Sequence, residues 1–187
     1  LPAGTYSVCQ PTQPADTLNS VTTPGTIAPV AGSTGTVGTA LNPPGGVPTS
    51  QITGIVLNDS GNANEVSGSP DNNFSEVVPA SVAGTVFFDA NGNGVLDVNE
   101  GGIAGVTINL TGPVNASVVT DANGDYSFEG LPPGDYTVTE VQPTAFIDGT
   151  DIPGTVDGTP VGDGSVNDVI SSITLGPGDA GIDYDFG

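Results

Sequence analysis

Short runs of alternating apolar and polar residues, each closed by glycine, proline, asparagine or aspartate, recur along this chain and narrow its fold to one class. Ser81–Phe88 sets Val82, Gly84, Val86 and Phe88 against Ala83, Thr85 and Phe87. Val106, Ile108 and Leu110 alternate with Thr107 and Asn109, and Tyr126 and Phe128 with Ser127 and Glu129. Tyr136 and Val138 follow, then Ile173 and Leu175, then Ile182, Tyr184 and Phe186. A period of two puts successive side chains on opposite faces, as in half-buried antiparallel strands. No stretch sustains a helical period. About seven strands in roughly 110 residues fits a Greek-key sandwich. The fold class is therefore all-β, a β-sandwich.

The turn content raises the question of disorder. Glycine and proline, 29 and 17 residues, make up about a quarter of the 187, near the level of low-complexity chains. Yet mean hydropathy is +0.05, and disordered acidic chains are far less apolar. The glycines and prolines sit between strands, as turns.

The chain also repeats itself. Leu1-Pro2-Ala3-Gly4-Thr5-Tyr6-Ser7-Val8 matches Leu131-Pro132-Pro133-Gly134-Asp135-Tyr136-Thr137-Val138. Ile52-Thr53-Gly54-Ile55-Val56-Leu57 matches Ile170-Ser171-Ser172-Ile173-Thr174-Leu175, and Phe74 matches Phe186. The order is kept while the spacing shrinks, so the first copy carries longer loops, where length changes cost little. The first copy has no counterpart to residues 79–130. Residues 1–77 thus read as the C-terminal part of a sandwich repeat, and 78–187 as a complete one. Half a sandwich exposes an apolar face and an unpaired edge. Its completion is expected either in cis, from an upstream segment, or in trans, from a neighbouring copy by strand complementation. Leu1 opens the chain without Met or a leader, which predicts a piece of a longer or processed protein.

Charge excludes several functions. There are 21 Asp and Glu and no Lys, Arg or His, a net charge of −21. Nucleic-acid binding by phosphate neutralisation and a polybasic grip on lipid both need cationic side chains. Triad-type hydrolysis needs His or Lys. A glycosidase-type carboxylate pair needs a sugar-binding cleft, but there is no Trp, and the acids lie in glycine-rich turns. The chain reads as no enzyme. No run approaches a membrane span. Cys9, the one cysteine, has no internal partner and reads as a small strand residue or an intermolecular bridge.

One segment carries specific chemistry. Asp89-Ala90-Asn91-Gly92-Asn93-Gly94-Val95-Leu96-Asp97-Val98-Asn99-Glu100 fits the calcium-loop pattern D-x-[DN]-x-[DN]-G-x5-E at every specified position. Calcium (Ca2+) takes six to eight oxygens. Asp89, Asn91 and Asn93 at positions 1, 3 and 5 would turn theirs inward, and Gly94 permits the bend. Val95 would offer its carbonyl, Asp97 would bind directly or through water, and Glu100 would close the shell. The alternative is an acidic turn without metal.

Asp121-Ala122-Asn123-Gly124-Asp125 reads as a tight hairpin turn, with a second cation site on Asp121, Asn123 and Asp125 as the alternative. Asp148, Asp151, Asp157, Asp163 and Asp168 either form another site or keep a long loop solvated. Asp183 and Asp185 read as a solvated strand face opposite Ile182, Tyr184 and Phe186, or as a cation ladder. Residues 17–50, rich in Thr, Gly, Ser and Pro, read as an irregular loop, glycosylated or not. Asn58-Asp59-Ser60, Asn73-Phe74-Ser75 and Asn115-Ala116-Ser117 match the N-x-S acceptor pattern.

Four segments together resemble the B-type repeats of serine-aspartate repeat (Sdr) bacterial surface proteins, related to collagen-adhesin B-type, prealbumin-like sandwiches. They are Val82–Asp89 with the loop to Glu100, Gly105–Leu110, Thr120–Phe128 and Leu131–Val138. The resemblance covers 81–187, and its C-terminal part recurs in 1–77. It implies tandem Ig-like or prealbumin-like domains in a secreted or cell-surface protein, rigidified by calcium. Such repeats act as spacers in a stalk, fibre or filament, and the expected partners are neighbouring copies, head-to-tail or by strand complementation. The alternative is an adhesin module with a glycan or protein ligand. The Lys–Asn crosslink of related pilin domains is impossible without Lys. The lack of Lys and Arg also removes trypsin-type cleavage sites.

Overall fold

A computed structural model describes residues 4–10, 15–24, 35–36, 39–41, 51–57 and 72–187. Most of the Thr-rich segment and the acceptor pattern at Asn58 lie outside these. The chain divides into two compact units, Leu1–Val77 and Val78–Gly187. Among the described residues every regular element is a strand.

The first unit contains β1 (Gly4–Cys9), β2 (Leu18–Thr23), β3 (Gly35–Thr36), β4 (Thr39–Leu41), β5 (Gln51–Leu57) and β6 (Asn73–Val77). β5 pairs with β1, β3 and β4, and β2 pairs with β6. Ile52 and Ile55 are its buried centre, with Tyr6 and Phe74 packed against them. Cys9 is an exposed strand residue.

The second unit runs through β7 (Ala80–Thr85), β8 (Thr107–Thr111), β9 (Ala116–Val119), β10 (Asp125–Leu131), β11 (Gly134–Glu140) and β12 (Asp151–Ile152). It continues with β13 (Thr155–Val156), β14 (Thr159–Pro160), β15 (Asp163–Val166), β16 (Val169–Leu175), β17 (Ala180–Ile182) and β18 (Asp185–Phe186). One sheet has the order β10-β7-β17-β13-β14, and the other β15-β16-β11-β8-β9. β17 lies parallel to β7, and β12 pairs with β18 as a short ladder. Inward residues of both sheets form one core, centred on Val82, Ile108, Phe128, Tyr136, Ile173 and Phe186. The unit has more strands than the seven expected, because the stretch after β11 pairs in two-residue pieces too short to show a period.

The internal repeat holds at the level of register. Gly4, Tyr6 and Val8 pair with Leu57, Ile55 and Ile52. Gly134, Tyr136 and Val138 pair with Leu175, Ile173 and Ile170, and both ladders carry a bulge at the same step. The bulge residues Gly54 (φ 69°) and Ser172 (φ 58°) share a left-handed backbone. Thr22 pairs with Phe74 as Asp151 pairs with Phe186.

Two alternation readings need correction. Phe87 is buried and Phe88 is 54% exposed, the reverse of the expected parity. The regular strand ends at Thr85. Val86 then bridges to Phe186 and Phe87 to Gly102, so both turn inward as the chain enters the loop. Phe88 packs instead on Phe146, with ring centroids 5.9 Å apart. Ile182 is exposed, not inward. Gly181 takes the buried position, and Asp183, at φ 62°, resets the phase so that Tyr184 and Phe186 face the core. Asp185 is also less solvated than expected: it is half-buried and accepts the Thr85 N–H at 2.7 Å.

Candidate metal centre

The loop 89–100 joins β7 to β8 and is closed at its neck by backbone bonds. Phe88 N–H donates to Gly101 O at 3.0 Å, and Ile103 N–H to Val86 O at 2.7 Å. Inside this noose the ligand-type side chains turn onto the loop's own backbone. Asp89 Oδ1 accepts from the N–H of Gly92 (2.7 Å) and Asn93 (3.2 Å), and Oδ2 from that of Gly94 (2.7 Å). These bonds, Gly94's foremost, hold the Asp89 carboxyl below its usual range. Asn91 Oδ1 accepts the Asn93 N–H at 3.0 Å, and Asn93 Oδ1 the Val95 N–H at 2.8 Å.

The C-terminal half folds back over this turn. Asp97 Oδ2 accepts from Asn91 Nδ2 at 2.8 Å and Asn93 Nδ2 at 3.0 Å, so positions 3, 5 and 9 meet at one point. Glu100 accepts the Ala90 N–H at 2.9 Å and the Asp97 N–H at 3.0 Å, tying the loop's end to its start. Gly94 has φ 68°, the left-handed bend that its position requires. The Val95 side chain is exposed. Among the described residues no three acidic or cysteine side chains gather at chelating distance. An ion in this loop would therefore draw on amide and carbonyl oxygens as well as on Asp89, Asp97 and Glu100.

Asp121, Asn123 and Asp125 form the β9–β10 turn. Asp121 Oδ1 accepts the N–H of Asn123 (2.7 Å) and Asp125 (3.0 Å), while Asp125 Oδ1 accepts from Thr85 Oγ1 at 2.9 Å. The two carboxylates are thus engaged by different elements, with Asp121 serving its own turn.

The acids of the long segment after β11 separate into two sets. Asp157 and Asp163 are exposed. Asp163 is held below its usual range by the hydroxyl and N–H of Ser165. Asp148, Asp151 and Asp168 instead face a fourth acid that the sequence reading passed over. Glu140 is the last residue of β11 and only 6% exposed. Burial first, then the charges of Asp168, Asp151 and Asp148, push it up to about 7. Burial likewise raises Asp151 to about 6 against the Val169 N–H, which donates to it at 3.3 Å. Asp168 is raised by burial, by the charge of Asp148 and by a hydrogen bond with it. The signal for Glu140 was its parity: it follows Tyr136 and Val138 on the inward face. A cleft of about 450 Å³ opens beside it, and its lining includes Glu140, Gln142, Asp148, Thr150, Phe87 and Asp89.

Of the acceptor patterns, Asn73 and Asn115 are both exposed. No helix among the described residues is long and apolar enough to cross a membrane.

A family model described as the SdrD B-like domain matches residues 80–187, essentially the second unit. Serine-aspartate repeat-containing protein I of Staphylococcus saprophyticus is 39% identical over 83 residues, 43% of this chain. Serine-aspartate repeat-containing protein F of Staphylococcus epidermidis is 39% identical over 69 residues, 35% of this chain. Serine-aspartate repeat-containing protein D of Staphylococcus aureus (strain Newman) is 42% identical over 64 residues, 33% of this chain. The matches span only 4–5% of these relatives' own lengths. None of the three names describes an enzyme. With the family model covering more than half of its length, the chain belongs to the SdrD B-like domain family.

Proposed function

We propose that this chain is a structural, calcium-rigidified repeat of an extracellular bacterial surface protein, part of a stalk, fibre or filament. The observation that carries the reading is the loop 89–100. Its side chains at positions 1, 3, 5, 9 and 12 all turn into a noose closed by backbone bonds. Asp89, Asn91, Asn93, Asp97 and Glu100, with the Val95 carbonyl, would hold the ion. Calcium supplies no reaction here. It supplies the positive charge that a chain of net charge −21 lacks, and a crosslink across the loop. Binding to the folded state alone stabilises by mass action, about 2.7 kcal/mol at a hundredfold excess over Kd. Family membership supports the surface location, and the repeated register supports a tandem array of spacer units.

The first unit repeats the β11–β16 half of the second, and the sequence offers it no counterpart to β7–β10. Its partner in this reading is a β7–β10-like segment, from upstream in the same polypeptide or from a neighbouring copy. Sedimentation across a dilution series separates the two, because only the second gives assemblies that persist on dilution. A monomer that captures a glycan or protein ligand would favour the adhesin reading instead.

The test of the calcium claim is the melting temperature of the full chain in millimolar calcium and in chelator. The expected result is a large drop on chelation, much reduced in Asp89→Ala and in Glu100→Ala. An unchanged melting temperature leaves the loop a plain acidic turn and sinks the proposal.

A further inference from the structure

Open sheet edges invite pairing, and folded proteins blunt them with charge, proline, bulges or brevity. The two five-stranded sheets of the second unit have four edge strands, β10, β14, β15 and β9. Three of them are blunted. β10 carries Asp125 and Glu129 and has a register shift against β7. β14 is two residues long and ends in Pro160. β15 opens on Asp163 and is shifted against β16. β9, with the sequence ASVV, has no charge, no proline and an unbroken register with β8. Thr120 N–H donates to Val106 O, beside β8. By alternation Ser117 and Val119 turn their N–H and C=O groups outward. Both residues are exposed, Val119 by 60%.

The first unit has a matching edge. β1 ends the order β1-β5-β3 among the described residues, and its sequence, GTYSVC, is also uncharged. Its counterpart β11 lies between β16 and β8. Glu140 N–H donates to Asp168 O on the β16 side and Val141 N–H to Thr107 O on the β8 side, so Thr137 and Thr139 face β8. The repeat maps these two onto Ser7 and Cys9, which therefore direct their backbone groups away from β5. Both are exposed. Val8 is 38% exposed, where its counterpart Val138 is 0% exposed. Among the described residues, β1 thus lacks the strand that β8 provides for β11.

We propose that β1 of one copy pairs antiparallel with β9 of a second copy, Cys9 opposite Ser117 and Ser7 opposite Val119. This register makes both of these hydrogen-bonded pairs. It also sets Val8 against Val118, which already packs on the core of the second unit. The contact joins two uncharged strands, where a chain of net charge −21 repels its copies least. Each copy has one β1 and one β9, so the interface is heterologous and adds copies head-to-tail. The proposal rests on the reading of the first unit as an incomplete sandwich and names the strand that extends it.

The test is disulfide trapping in the full chain, with Cys9 as the natural reporter. Hydrogen-bonded antiparallel partners stand about 5.5 Å apart between Cα atoms, within reach of a disulfide. Oxidised Ser117→Cys is expected to give a ladder of multimers on non-reducing gels. Digestion with an acid-specific protease should then show Cys9 joined to position 117 of another copy. Ser127→Cys, exposed on the blunted β10, is the control and should show no such link. Ser117→Pro removes an outward N–H and leaves the β8 ladder intact. It should abolish the assemblies seen by sedimentation while the melting transition is kept. If it lowers the melting temperature, the trapping result alone decides. Links confined to Cys9 with Cys9, equal linking of Ser127→Cys, or a bond between Cys9 and position 117 within a monomer would each overturn the pairing. Assemblies of Ser117→Pro that persist on dilution would overturn it too, while leaving completion by a neighbouring copy standing. A natural chain that stays monomeric, with no link in Ser117→Cys, would overturn both.

Discussion

Asp185→Asn should stabilise the second unit at neutral pH and have no effect in acid. Asp185 lies on β18, half-buried, with Oδ1 accepting the Thr85 N–H at 2.7 Å. Burial pushes its carboxyl from 3.8 to about 6; the Thr85 N–H works against this, while Asp183 and Asp125 add to it. The folded pKa is raised, so the folded state binds the proton more tightly than the unfolded chain does. That contribution is fully present below about pH 4 and is lost as pH rises through about 6, above which the ionised group costs stability. The interval from 3.8 to about 6 corresponds to at most about 3 kcal/mol. Partial exposure screens the charge and reduces this to about 1–2 kcal/mol. Asn keeps an acceptor for the Thr85 N–H and removes the charge. The variant should therefore melt about 4–8 °C higher near pH 7.5, with the gap closing near pH 4. The assay is thermal unfolding at fixed calcium across this range, followed by the near-ultraviolet tyrosine signal. A gap that is constant with pH, or a variant less stable at neutral pH, would refute the assignment of a buried, repelled carboxylate.

Two further substitutions probe the packing. Gly84→Ala would put a Cβ 1.8 Å from the backbone oxygen of Tyr184, which no side-chain rotation can relieve, so it should unfold the second unit or lower its melting temperature severely. Gly101→Ala, where the Cβ meets open space, should be tolerated in the same assay. Tyr126 donates its hydroxyl to Tyr184 O at 2.6 Å in the core, so Tyr126→Phe should cost about 1–3 kcal/mol in denaturant titrations. The Tyr184 hydroxyl is buried with no partner, so Tyr184→Phe should be neutral or stabilising by about 1 kcal/mol in the same titrations.

The fold was legible wherever strands were long enough to show a period. Val106, Ile108, Leu110, Tyr126, Phe128, Tyr136 and Val138 all point inward as their alternation requires. The reading failed where backbone departures reset the phase. Asp183 in the left-handed region turns Ile182 outward, and the bridges at Val86 and Phe87 bury two neighbours in succession. Neither departure leaves a mark in hydropathy. The loop 89–100 was legible because its spacing is local. Asp148, Asp151 and Asp168 were legible only as members of a larger acidic set, and Glu140 was missed, because β11, β12 and the β15–β16 turn bring the four together across 28 residues of sequence, from Glu140 to Asp168. Period-two reasoning does hold the clue. Glu140 occupies a core position of β11, and a charged residue there requires an explanation that an exposed one does not.

The placement of charge gives the rigidity argument its physical basis. The second unit holds 16 of the 21 acids and no compensating side chain, so folding it concentrates like charge. Most of these carboxylates stay at the surface, where water screens them. One group of exceptions, Glu140, Asp148, Asp151 and Asp168, lies near the loop 89–100. Asp89 and Gly92 of the loop line the same cleft as Glu140 and Asp148. The intervening segment is pinned from both sides: Gly149 N–H donates to Gly187 O at 3.0 Å, and Gly187 N–H to Thr150 O at 3.2 Å. Thr150 in turn lies against Gly94, at the bend of the loop. A cation held in the loop, as proposed, would act on the loop and, through Thr150 and Gly187, on the 148–151 segment and the end of the last strand. On that proposal the ion would tie the loop to the segment packed on its bend, and would stabilise the folded unit over its chelated form by mass action.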